Sequence, residues 1–350
     1  MWSPLASSVL SMDVLAVGVA VHLKWSEALA LSWTSPSVER AVKPATRKGG
    51  VSIYLIGGSN KRCLNSVDVF DPKAERWSMD IVPNMQARRD GPAAVVLAGC
   101  VYVCGGDDGA QPLRTAEKFD PEIKVWESLP DMLHARDGPA GAVLGGKLYV
   151  CGGCEGTHRT RLKSVECYSP RLNRWEKGVD MLHVRFGAVA CAGHGLLYVA
   201  GGGNGQERLA SAERFNPSTS TWEAISSMSV KRDGAAAVDF QGLFCVLGGS
   251  DGSRKLKSCE RFDPQHGCWS SGTLPAMTFS RDGAAATCLD GQLYVCGGIV
   301  GNKGRASRMV ERLGPQSENE TVAGWGCAPQ LSMPRAGAVA VVVQHRAPLA

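Results

Sequence analysis

Six arginines recur in one setting along this 350-residue sequence. Arg89, Arg136, Arg185, Arg232, Arg281 and Arg335 each open a run of small residues, as in RDGPAAVVL and RAGAVAVVV. A guanidinium is a rigid fork of five N–H donors that matches a carboxylate bidentately, so this residue type suits the gripping of acidic groups. Repetition leaves two readings open. A residue present in every repeat commonly serves the scaffold, here by pairing with the acid that follows it or with an acid of a neighbouring repeat. The other reading aims one or more of the six at a ligand. Arg185 precedes Phe186 and Arg335 precedes Ala336 instead of an acid, which leaves these two freer to meet one. Further cations, among them Arg114, Arg159, Arg161, Arg208, Arg254 and Lys255, lie in segments that follow paired glycines.

Other residues that could carry chemistry are sparse. Cys151 and Cys154 have the spacing of a metal or redox pair, but no second CxxC accompanies them. The spacing arises because a cysteine precedes the glycines in three repeats, at Cys104, Cys151 and Cys296. His134 and His183 sit in equivalent Asp-Met-Leu-His-x-Arg segments, which assigns them to a turn or rim and not to catalysis. The sequence shows no phosphate loop, nucleophile elbow or i, i+4 histidine pair, so no cofactor, no metal and no enzymatic activity are expected. A net charge of +5 is too weak by itself to suggest nucleic acid, and the basic segments hold no Trp, Tyr or Phe for bases to stack on. The apolar stretch from Val14 to Leu23, bounded by Asp13 and Lys24, is too short to span a bilayer, so no membrane association is expected. Thirteen cysteines, several inside apolar runs such as LYVC, read as small buried hydrophobes in a reducing compartment, and a cytoplasmic location is the expectation. The glycosylation sequon at Asn319 would be idle there.

These residues are spaced by a repeat. A Gly-Gly pair closes an apolar run at Gly57, Gly105, Gly152, Gly201, Gly248 and Gly297, in steps of 48, 47, 49, 47 and 49 residues. Each pair is followed by an acid (Asp68, Glu117, Glu166, Glu213, Glu260, Glu311). Two residues later stands Phe70, Phe119, Tyr168, Phe215, Phe262 or Leu313, and then a tryptophan: Trp77, Trp126, Trp175, Trp222, Trp269 or Trp325. Asp-Pro, Ser-Pro or Asn-Pro separates aromatic from tryptophan in the first five units, as a tight turn requires. Each unit therefore reads as four short strands: a small-residue strand, an aromatic-rich strand ending in the glycines, an alternating strand with acid and aromatic on one face, and a strand starting at the tryptophan. The aromatic three residues before the glycines is Cys245 in the fifth unit, and the sixth has Leu313 and a stretched segment, PQSENETVAG, that predicts an extended loop.

This motif set resembles the Kelch family, most closely the propellers of Kelch-like substrate adaptors of cullin-type ubiquitin ligases, over roughly 295 of the 350 residues. The expected fold is all-β, a six-bladed Kelch β-propeller with four antiparallel strands per blade. Residues 1–45 are expected to form a poorly ordered N-terminal extension, 46–345 the propeller and 346–350 a tail. The small-residue strand is out of phase with the blades: none precedes the first glycine pair, and a surplus one, AGAVAVVV, follows the last tryptophan. The C-terminal strand should therefore close blade one, which removes the open sheet edges.

Strand alternation puts the loops after strand two and the segments opening strand one on the same face. Twenty-one cations against nine acids fall in these segments, which favours an acidic partner through steering and charge-assisted pairing. In the Kelch-like adaptors the matching strand-one arginines contact acidic degron peptides, so the resemblance favours Arg136, Arg185, Arg232 and Arg281. Those adaptors recruit the ligase through a separate helical domain longer than the segment preceding this propeller, so the expectation is substrate binding with no visible means of recruiting a ligase, unless the sequence is partial or the ligase docks elsewhere. The function expected is a protein-interaction module that binds an acidic peptide or protein, as substrate receptor for a ubiquitin ligase. Actin-binding scaffolding is the alternative, and a Kelch-fold enzyme (copper oxidase or sugar isomerase) a further one.

Overall fold

The computed structural model describes residues 50–301, 304–314 and 324–345. The expected extension 1–45, the tail 346–350 and nearly all of the predicted sixth-unit loop lie outside the described residues. Six four-stranded antiparallel sheets are present. Blade two shows the pattern: Ala93–Leu97, Cys100–Cys104, Ala116–Asp120 and Val125–Leu129 pair in that order from inside to outside. Blades three to six repeat it, starting at Ala140–Leu144, Val189–Gly193, Ala236–Phe240 and Ala285–Leu289. Blade one draws its innermost strand from the other end of the chain: Val339–Gln344 pairs antiparallel with Val51–Ile56, from Val51 opposite Gln344 to Ile56 opposite Val339. The C-terminal closure expected from the phase of the repeat is thus present, and no innermost strand is left unpaired.

The small strand-one residues are small because they meet at an axis. A channel of about 210 Å³ is lined by the first residues of all six inner strands, mainly Gly and Ala. A closed ring of backbone hydrogen bonds narrows its mouth. Gly91, Gly138, Gly187, Gly234, Gly283 and Gly337 each donate to the corresponding glycine of the preceding blade, at 2.8–3.1 Å, and Gly91 closes the ring by donating to Gly337 O. The ring needs φ near +60° at every member, from 59° at Gly138 to 65° at Gly187, a conformation that glycine adopts without a Cβ clash.

Arginine fastens one blade to the next. The backbone N–H of Arg136 donates to Leu113 O and its carbonyl accepts Gly106 N–H, both in blade two. Its side chain turns into blade three, onto Gly152 O, Ser164 and Glu166. The first glycine of each pair is required here, since a Cβ on Gly105 would stand 2.5 Å from Arg136 O. Each tryptophan Nε1 also reaches back across its junction, as from Trp126 to Pro83 O at 2.9 Å and from Trp77 to Pro329 O at 3.0 Å. Met132, Met181, Met228 and Met277 fill the junctions at 0–4 % exposure, with Met85 and Leu331 in the equivalent places.

Aromatic pairs across neighbouring blades complete the core, such as Tyr54 with Phe119 at 6.0 Å and Tyr294 with Phe70 at 5.7 Å. The two departures from the repeat prove to be one. Cys245 of blade five and Leu313 of blade six belong to the same buried cluster, so the missing tyrosine and the missing aromatic lie at a single junction. Leu313 occupies there the place that a ring takes elsewhere.

Candidate partner-binding face

The two sets of loops do share a face. Asp90, which opens strand one of blade two, and Asp107, which follows that blade's glycines, exchange backbone hydrogen bonds at 2.8 Å. Phe186 with Gly203 and Asp233 with Ser250 do the same in blades four and five.

The six strand-one arginines do not reach that face. All six are 0–1 % exposed, and they are the largest fully buried side chains in the protein. The ligand-binding expectation for Arg89, Arg136, Arg185, Arg232, Arg281 and Arg335 is corrected accordingly. Five of them pair with the strand-three glutamate of their own blade, and not with the acid that follows or a neighbour's: Arg89–Glu117 at 2.9 Å, Arg136–Glu166 at 2.9 Å, Arg185–Glu213 at 2.8 Å, Arg232–Glu260 at 3.0 Å and Arg281–Glu311 at 3.0 Å. Glu166 also accepts the backbone N–H groups of Leu133 and His134, so one carboxylate holds both the arginine and the segment leading to it. Arg185 and Arg335, expected to be freer, are as enclosed as the others. Burial opposes the charge at both and lowers their pKa, to about 10 at Arg335.

The channel mouth is acidic. Asp90, Asp137, Asp233 and Asp282 stand around it, with Phe186 and Ala336 taking the two remaining places. Burial raises the pKa of all four carboxyls, to about 6 at Asp137 and Asp233. Loop cations lean in to answer them. Arg159 bridges Asp137 and Asp107, lying 2.9 Å from the latter, and Arg208 pairs with Asp233 at 2.9 Å. Arg161 lies over the Phe186 ring at 5.3 Å. Lys255 donates to Gly301 O at 2.8 Å and lowers the pKa of Asp282 through its charge. Of the predicted loop residues, Arg114 pairs with Asp131 at 3.1 Å and Arg254 with Asp251 at 3.4 Å, both on the outer rim.

Lys61, Arg62 and Arg88 are exposed and form no ion pair among the described residues. They border a cavity of about 850 Å³ between blades one and two. Their loop lies in the predicted face, but nothing in the sequence separates them from the neutralised cations, because neutralisation depends on which aspartate a loop overhangs.

His134 Nδ1 lies 2.9 Å from Glu155 and His183 Nδ1 3.7 Å from Glu213, at the rim of their turns. The thirteen cysteines are free thiols, and burial raises Cys151 to about 12. Among the described residues no group of three His, Cys, Asp or Glu side chains could hold a metal ion, and no helix is long and apolar enough to cross a membrane.

The family described as Kelch motif matches six segments, residues 52–85, 88–133, 135–182, 185–229, 232–273 and 280–318. The chain belongs to the Kelch-repeat family. It is 36 % identical over 99 residues to an F-box/kelch-repeat protein of Arabidopsis thaliana, a stretch covering 27 % of this chain and 26 % of that one. It is 34 % identical over 77 residues to human Kelch-like protein 23, covering 21 % of this chain and 13 % of the relative. The matched stretches thus span about a quarter or less of these relatives. The solved structure of YjhT superposes with a TM-score of 0.61 at 19 % identity, covering 74 % of this Kelch chain and 89 % of that one, which shows the fold alone.

Proposed function

We propose that this Kelch propeller is a protein-interaction module whose loop face receives an acidic segment of a partner protein, as substrate receptor for a ubiquitin ligase. The observation that carries this reading is the division among the cations. The buried arginines serve the scaffold, while Lys61, Arg62 and Arg88 stand exposed and unpaired beside a cavity on the same face. Exposed cations on a rigid scaffold steer an acidic partner and form charge-assisted bonds with it. Similarity to F-box/kelch-repeat and Kelch-like proteins supports the link to ligase machinery. Thirteen free thiols suit a reducing compartment, and we place the protein in the cytoplasm.

A pull-down from cell lysate tests this, comparing wild type with a Lys61→Ala, Arg62→Ala, Arg88→Ala, Arg114→Ala, Arg254→Ala variant at low and high salt. The reading expects partners that are lost in the variant and weakened by salt, with cullin-ligase subunits among the captured proteins. A folded variant that keeps every partner refutes it.

A further inference from the structure

The cavity between blades one and two has a cause in the repeat. In every blade the N–H of one loop residue returns to the second glycine's carbonyl: Leu64 to Gly58, Leu113 to Gly106, Leu162 to Gly153, Leu209 to Gly202, Leu256 to Gly249 and Ser307 to Gly298. The residue just before it is thereby fixed in space, leaning toward the next blade. Blades three, four and five place Arg161, Arg208 and Lys255 there, and blades two and six place Pro112 and Ala306. Blade one places Cys63. The equivalence shows in the neighbours: a Cβ on Gly109 would lie 3.5 Å from Cys63 Sγ, and one on Gly252 would lie 3.3 Å from Arg208 Cγ.

A long cation at this position meets the mouth residue of the next blade, as Arg208 meets Asp233. Cys63 is too short and carries no positive charge, so Asp90 faces empty space where Asp233 faces a guanidinium. Asp137 and Asp282 have their cations in Arg159 and Lys255, and the charges acting on the four carboxyls show the same division. Cationic neighbours pull down all three of those carboxyls, whereas Asp90 is relieved only by hydrogen bonds from Ser59 and Gly91. The cavity is therefore a gap roomy enough for an arginine side chain, with Asp90 and Asp108 in its lining and Lys61, Arg62 and Arg88 beside them.

We propose that this gap receives an arginine or lysine side chain of the partner protein, which meets Asp90, while acidic residues flanking it on the partner meet Lys61, Arg62 and Arg88. The inference rests on the acidic-partner reading above and narrows it: the segment recognised is a basic residue set among acids, bound off the axis at the first junction. A uniformly acidic segment would leave Asp90 facing like charge.

Two fluorescein-labelled peptides on the full chain test it by anisotropy: Glu-Asp-Arg-Asp-Glu, and the same peptide with citrulline for arginine, which keeps the shape and removes the charge. The arginine peptide should bind at least tenfold more tightly. Cys63→Arg, which fills the gap from within, should bring the arginine peptide down to the citrulline value while the unfolding midpoint is kept. Asp90→Asn should remove the same preference, and serves alone if Cys63→Arg does not fold. Equal binding of the two peptides overturns the inference, as does a preference that survives a folded Cys63→Arg or Asp90→Asn. If the two bind equally and Lys61→Glu with Arg62→Glu abolishes both, the acidic-partner reading stands without the inference. If neither binds, the inference falls and the pull-down above decides the broader reading.

Discussion

Blade three and blade one are fastened by the same arginine and held unequally. In blade three, Arg136 places all five of its N–H donors: two on Glu166, one each on Gly152 O and Ser164 O, and one on Ser164 Oγ. In blade one, where the ring closes, Arg335 keeps Gly57 O, Ser66 O and Ser66 Oγ, but its Nε finds no acceptor among the described residues and one Nη2 donor settles on Met79 Sδ at 3.5 Å. The acid here is Asp68, one methylene shorter than glutamate. It turns to Ser332, accepting from N and Oγ at 2.8 Å, and makes no direct ion pair with Arg335. A carboxylate and a guanidinium are thus both buried at the seam without touching, so burial raises the pKa of Asp68 and lowers that of Arg335. The seam joins the two ends of the propeller sequence, and its polar fastening is weaker than that of an interior blade.

The largest effect should come from removing the closing strand itself. A chain ending at residue 335 lacks Val339–Gln344, bares the edge of Val51–Ile56 and empties the inner row of blade one. It should lose the cooperative unfolding transition in urea followed by circular dichroism. A transition of unchanged steepness would show that closure is dispensable.

Next in size, Arg136→Met should cost about 3–5 kcal/mol, since it leaves Glu166 buried and unmatched. Arg335→Met should cost less, about 1.5–3 kcal/mol, because its guanidinium bonds neutral acceptors and no direct ion pair is lost with it. Equal losses in denaturant titrations would break the contrast between seam and interior.

Asp68→Glu sharpens it from the other side. The added methylene lets the acid reach the unpartnered Nε of Arg335, and stability should rise by about 1 kcal/mol. In a double-mutant cycle the gain should vanish when Arg335 is Met.

The last effect is at the channel mouth and depends on pH. Burial outweighs the pull of Arg159 and raises the Asp137 carboxyl in the fold from its ordinary 3.8 to about 6. The folded state therefore holds this proton more tightly than the unfolded chain. Its favourable contribution is complete below pH 4 and fades as pH rises to 6. Asp137→Asn should match the wild type below pH 4 and exceed it above pH 6, because the raised value already sets the pull of Arg159 against the burial. A variant less stable at pH 7 than at pH 4, relative to wild type, would reverse the sign and refute the account.

Glycine pairs, strand-three acids, aromatics and tryptophans at fixed offsets determined the number of blades, the strands within them and even the closure by AGAVAVVV, because each is a local requirement of a turn or a sheet face repeated six times. The role of the arginines was not readable in the same way. Arg136 and Arg159 are both basic residues near a glycine turn, yet one is sealed beside Glu166 and the other spans two aspartates at the mouth. Which carboxylate each one meets is settled only when strand three comes beneath strand one and each loop overhangs the next blade. The candidate groove is tertiary in the same sense. Cys63 is unremarkable in sequence, and it becomes a gap only because folding places it where three other blades put a long cation, one blade away from an aspartate that lacks one.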